Sequence, residues 1–131
     1  MNKNKTSGIR GKAGEDAVCQ YLKDKGFRIR ARNFRRSCGE IDIISEAGEY
    51  LIFTEVKTRK FGAVENGTGA MTKAKMKRII GTAELFVASN PDLRDYYRRF
   101  DTAYVTVTSE NPPCVLDLEY FEGDFTAGDC F

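Results

Sequence analysis

Asp42 in the stretch GEIDII, and Glu55 and Lys57 in FTEVKTR, are charged residues inside segments that otherwise read as apolar strand. Acids are poor strand formers, and a carboxylate taken out of water must pair, neutralise or meet a metal. Gly48-Glu49 between the two segments suits a two-residue hairpin turn with glycine first. In that register Asp42 faces Glu55, and Glu40 faces Lys57. A loop one residue longer would carry Asp42 to the other face. Directly opposed carboxylates, with Cβ atoms roughly 5 Å apart, destabilise a strand pair. A divalent cation between them reverses the sign, and Mg²⁺ (or Mn²⁺) accepts such oxygen ligands together with substrate phosphates. Lys57, two residues beyond Glu55 and on its side, is placed to orient or deprotonate a water, or to neutralise a phosphate. Metal-assisted phosphodiester hydrolysis needs these parts. The plainer alternative is a surface Glu-x-Lys pair with a Glu40–Lys57 cross-strand salt bridge.

Positioning these groups falls to the surrounding elements. Ala13, Ala17, Val18, Tyr21 and Leu22 recur at helical spacing, which predicts a helix from about Ile9 to Lys25, stopped by Gly26. Gly11 and Gly14 share a side with Val18. Glycine inside a helix costs roughly 1 kcal/mol, so the pair suggests a close backbone approach. Glu15 lies at the edge of the apolar stripe, where it would reach the acid pair if that helix packs on the sheet. FRIRARNF (27–34) alternates as a half-exposed strand. RRSCG (35–39) reads as a turn, with Asn33 expected to cap it, and strands follow over 40–45 and 51–58. Residues 61–70 form a glycine-rich loop, read as a flap. Thr72 caps a second helix with the stripe Met76, Ile79, Ile80, Ala83, Phe86 and Val87. Strands at 100–107 and 115–120 complete an α-β-β-β-α-β order with one further strand. This predicts an α/β fold, a mixed sheet flanked by helices. Asp101, at the head of a strand, is expected to make a structural hydrogen bond.

The 131 residues fit one domain over 8–120, with 1–7 as a disordered lead-in and 121–131 as an acidic tail of no usable period. There is no histidine, and the four cysteines lack metal-type spacing, which argues against zinc and against an imidazole base. No apolar run approaches a membrane span, and the N-terminus lacks a signal-peptide core. A reduced cytoplasmic protein is the plain reading. Residues 1–36 carry eleven Lys or Arg against three acids, while the remainder holds ten bases and sixteen acids. A basic half suits a polyanion partner. Arg10, Arg32, Arg35 and Arg36 are candidates to contact phosphates, as is Lys73 in the first turn of the second helix.

GKAGED (11–16), RNFRRSCGEIDII (32–44), EVKTR (55–59), Lys73 and RRFDTAYV (98–105) together resemble the YraN-like family of small bacterial proteins, within the PD-(D/E)xK nuclease superfamily. The likeness spans about residues 8–107, and the combination is specific. It implies a restriction-endonuclease-like fold. It also implies metal ligation by Asp42, Glu55 and the Val56 carbonyl, completed by Glu15, with Lys57 as the catalytic lysine. Thr54 stands where the family usually has valine. The family is similar in turn to archaeal Holliday-junction resolvases, which cut branched DNA as homodimers; branched DNA as partner and pairing of two copies are the corresponding expectations. The readings carried forward are a metal-dependent DNA endonuclease, an inactive nucleic-acid-binding module on the same fold, and a protein-interaction domain working through its acidic tail.

Overall fold

The computed structural model describes residues 8–63 and 71–131. The 1–7 lead-in and most of the 61–70 loop, including its reading as a flap, lie outside the described residues. Helix α1 spans Gly8–Asp24, followed by β1 (Arg28–Arg36), β2 (Gly39–Ala47), β3 (Tyr50–Lys60), α2 (Lys73–Ala88), β4 (Tyr97–Val107) and β5 (Val115–Phe125). Single turns of 3-10 helix at Pro91–Leu93 and Ala127–Asp129 precede and follow the last two strands. The expected elements are all present. Strand β5 runs five residues further than its apolar pattern suggests, because the acidic stretch continues pairing with β4 as far as Phe125 opposite Phe100.

The sheet order is β1-β2-β3-β4-β5, antiparallel except for the parallel β3–β4 pair. A parallel neighbour requires a crossover, and α2 provides it. The two helices lie on opposite faces and bury separate cores. Ile41, Ile44, Leu51, Phe53, Phe100 and Phe125 pack against Ile79, Ala83, Phe86 and Val87 of α2. Ile43, Ala103, Val105 and Val107 pack against Val18, Cys19 and Leu22 of α1. Each fully buried aliphatic or aromatic side chain stabilises the fold by about 1.5–3 kcal/mol. This is the mixed, helix-flanked sheet expected of a nuclease-like fold.

One buried ionic network ties the last three strands together. Asp101 has no solvent exposure. It accepts two hydrogen bonds from the Arg99 guanidinium (3.0 and 2.9 Å), one from the Tyr120 hydroxyl (2.6 Å) and one from the Gly123 amide (2.8 Å). With its proton committed to Asp101, Tyr120 must accept from the Thr54 hydroxyl at 2.8 Å. Thr54 thus faces the α1 side, and the structural role expected for Asp101 is met.

Candidate functional site

The β2–β3 hairpin turns at Gly48, whose φ of +59° suits glycine at the first turn position. The ladder runs from Ala47 opposite Tyr50 to Ile43 opposite Thr54, which is the register read from sequence. Beyond that pair the regular ladder stops. The Val56 N–H donates instead to Asp42 Oδ2 at 2.7 Å, so a carboxylate stands where a backbone partner would be. The packing reports the same break. Ile43 faces the α1 core while Ile41 faces the α2 core, although regular pleating would put both on one side. On β1, Arg32 and Phe34 pair with Ile43 and Ile41, which sets Asn33 opposite Asp42. Asn33 has a left-handed backbone, φ +52°. It is therefore a kink within β1 rather than the cap of a following turn.

Asp42 and Glu55 come together at this opening, with Glu15 above them. All three line a cavity of about 640 Å³, together with Gly11, Lys12, Arg32, Arg35, Glu40 and Val56. Helix α1 reaches the sheet because Gly14 lies against Thr58 of β3, where a Cβ would collide with the threonine hydroxyl. That meets the expectation of a close approach at Gly14. Gly11 has open space above it instead and forms part of the cavity wall. Glu15 points to the Arg32 guanidinium, 3.6 Å away, and is hydrogen-bonded by Asn33. Burial raises its pKa, opposed by these two partners. Arg32 also pairs with Asp16 at 2.9 Å.

Asp42 is the most perturbed of the acids. Burial first, then the facing Glu55, push its carboxyl up to about 8, against the opposing Val56 hydrogen bond. Glu55 is held by two lysines through a single oxygen, Oε2: Lys75 Nζ at 2.6 Å and Lys57 Nζ at 4.0 Å. Burial and the adjacent Lys75 ammonium lower the pKa of Lys57. Burial acts in the same sense on Lys75, but the Glu55 carboxylate outweighs it and the net direction is upward.

Lys75 is the residue that sequence reasoning missed. Lys73 is exposed at the first position of α2, two residues and roughly 200° away around the helix. Lys75 lies one turn before the buried Ile79, on the side that faces the sheet. A lysine one turn ahead of the core stripe was the available signal. The Glu40–Lys57 bridge of the plainer alternative does not form. Glu40 stays with β1, where Arg35 binds it at 3.0 Å, because β2 has left β3 by that point. Arg36 lies over the Phe34 ring at 4.2 Å. Arg10 lines a smaller adjoining hollow of about 190 Å³ with Glu15, Val56, Thr58 and Lys60.

Among the described residues, no three acidic, cysteine or histidine groups form a ready-made metal cage. Glu15 is turned to Arg32 and Asn33. What remains is two hard oxygen donors, Asp42 and Glu55, on one cavity. In an extended strand the N–H and C=O of one residue leave on the same side, so the Val56 carbonyl shares the edge from which its amide reaches Asp42. Mg²⁺ is commonly held by one or two carboxylates plus waters and phosphate oxygens, and this donor set fits that pattern.

No helix among the described residues is long and apolar enough to cross a membrane. Comparison with known proteins finds relatives across bacteria. The chain is 37% identical over 119 residues to a UPF0102 protein of Synechococcus, covering 90% of this chain and 88% of the relative. It is 37% identical over 115 residues to one from Dictyoglomus turgidum, covering 88% and 95%. A third, from Oleidesulfovibrio alaskensis, is 40% identical over 102 residues; there the match takes 78% of this chain but half of the longer relative. The model of the Uncharacterised protein family UPF0102 matches residues 14–105, the segment that holds Glu15, Asp42, Glu55, Lys57 and Lys75. The YraN-like resemblance is thereby borne out, and the chain belongs to the UPF0102 family.

Proposed function

We propose that this protein is a metal-dependent endonuclease that hydrolyses DNA phosphodiester bonds, with branched DNA as its substrate class. The observation that carries the reading is the meeting of Asp42, Glu55 and Lys57 where β2 and β3 part. Burial there, and then the neighbouring Glu55, raise the pKa of Asp42, in a cavity rimmed by Lys12, Arg32 and Arg35. An arrangement that costs stability and serves no packing purpose is what a functional site retains.

In this reading Asp42, Glu55 and the Val56 carbonyl hold Mg²⁺ or Mn²⁺, which when bound supplies a Lewis acid and an acidified water. Lys57, with its pKa lowered by burial and Lys75, takes a proton from the attacking water or donates to the scissile phosphate. Glu15 orients groups from the α1 side through Arg32 and Asn33. Arg10, Arg35 and Arg36 position the phosphate backbone without reading sequence. Lys73 is exposed and serves at the periphery of that track.

A second reading is an inactive nucleic-acid-binding module. Glu15 and Glu55 already have cationic partners within the chain, which favours a site that stands without metal. Labelled linear, flap and four-way-junction DNA, incubated with Mg²⁺ or Mn²⁺, separates the two. Cutting that Glu55→Ala abolishes supports the nuclease. Junction binding without cutting, unchanged by Glu55→Ala, supports the module.

A further inference from the structure

We infer that Lys75 is a displaceable counter-ion of the acid pair: it holds Glu55 in the metal-free protein and competes with a divalent cation for that carboxylate. The inference rests on the metal site proposed above. It starts from two distances to the same atom. Lys75 Nζ lies 2.6 Å from Glu55 Oε2, a full charge-assisted hydrogen bond, whereas Lys57 Nζ stands at 4.0 Å. Lys75, Asp42, Glu55 and Glu40 also line one hollow of about 160 Å³ on the α2 side of the opening. Lys75 therefore occupies space from which a cation would engage both acids.

The attachment suits an exchangeable group. The Lys75 backbone is fixed, since its N–H donates to the Thr72 side chain that caps α2. The side chain is about a third exposed (32%), against 12% for Glu55. Its four-carbon stem lets the ammonium leave while the helix stays in place. Lys57, on β3 itself, lies at the longer distance in the same field. The two lysines thus have different roles: Lys57 addresses the reacting groups, and Lys75 neutralises Glu55 until a stronger cation arrives.

A coupling follows. A phosphate that accepts Lys75 removes a competitor from Glu55, and a cation on Glu55 frees Lys75 for a phosphate. Cation and phosphodiester therefore strengthen each other's binding, by the same factor in both directions.

Mn²⁺ binding, followed by calorimetry and by the paramagnetic signal of the free ion, tests this on the full-length protein. Lys75→Met and Lys75→Gln are expected to tighten Mn²⁺ binding roughly tenfold or more. Lys57→Met removes the same charge at 4.0 Å and should tighten it less. The Lys75 gain should disappear in a Glu55→Gln background. Melting curves add a second readout, since both Lys75 variants should gain more thermal stability from saturating Mn²⁺ than wild type does. Unchanged affinity in the Lys75 variants, or a gain matched by Lys57→Met, overturns the counter-ion role while leaving metal binding intact. If neither wild type nor any variant binds Mn²⁺, the metal site falls and this inference with it.

Discussion

Replacing Asp42 with asparagine should stabilise the metal-free protein at neutral pH, and the gain should depend on pH. The asparagine side chain retains an oxygen to accept the Val56 N–H, so the change removes an ionisable group and little else. The Asp42 carboxyl has a reference pKa of 3.8 and is pushed up to about 8 in the fold, by burial and then by Glu55. The native state therefore holds the Asp42 proton more tightly than the unfolded chain. Below about pH 4 both states are protonated and the group is neutral in its effect. As pH rises toward 8 the folded protein must either keep a proton or bury a charge, and stability falls. At pH 7 the span from 3.8 corresponds to a ceiling of about 4 kcal/mol, at 1.36 kcal/mol per unit. Two features reduce it: Asp42 is partly exposed, and Lys75 at 2.6 Å offsets the charge of Glu55. A difference of roughly 1–2 kcal/mol, or about 3–8 °C in Tm, is expected. Thermal and urea melts of wild type and Asp42→Asn, from pH 4 to 8.5 in EDTA, measure it. The curves should converge at the acid end and diverge upward in pH. A variant less stable than wild type at pH 8, or a difference that ignores pH, would refute the reasoning.

Other outcomes follow from the same structure. Asp101→Asn leaves the Arg99 guanidinium facing a neutral partner in the buried network, and should cost about 3 kcal/mol in urea unfolding; Tyr120→Phe, which strands the Thr54 hydroxyl and removes one of Asp101's donors, should cost about 1–2 kcal/mol. Gly14→Ala drives a methyl into Thr58 and should destabilise by roughly 1–3 kcal/mol; pairing it with Thr58→Ser, which removes only the threonine methyl, should recover little, because the hydroxyl is the nearest atom. If Arg35 and Arg36 contact phosphates, alanine at each should weaken DNA binding in EDTA without regard to sequence and lower the salt-dependence slope by about one per residue. A thiol reagent on the native protein should modify the exposed Cys114 fastest and leave the buried Cys19 and Cys130 until unfolding, as mass spectrometry of timed samples can show.

The hairpin register was legible because a two-residue loop beginning with glycine leaves few choices, and everything out to Ile43–Thr54 followed from it. What happens past that pair was not. Local pattern contains no sign that β2 stays with β1 while β3 turns toward β4, so a Glu40–Lys57 bridge stayed open as the plainer alternative, and Arg35–Glu40 was found. Asn33 looked like a cap because asparagine tolerates a left-handed backbone; it uses that tolerance inside a strand, opposite Asp42. Lys73 and Lys75 are alike in composition, and only the phase of α2 against Ile79 separates the surface lysine from the one on Glu55. Strand β5 hid its far end because acidic residues on an exposed edge leave no apolar period.

The Asp101 network also bears on how much of the chain the fold requires. The family match ends at residue 105, yet two of the groups that satisfy Asp101 belong to β5, Tyr120 and Gly123. A nascent chain stopped after β4 would have every catalytic candidate and most of its core. It would also bury a carboxylate short of two donors, and a Thr54 hydroxyl with no acceptor, next to Glu55. The C-terminal strand therefore lies beyond the family match yet satisfies buried polar groups on both β3 and β4.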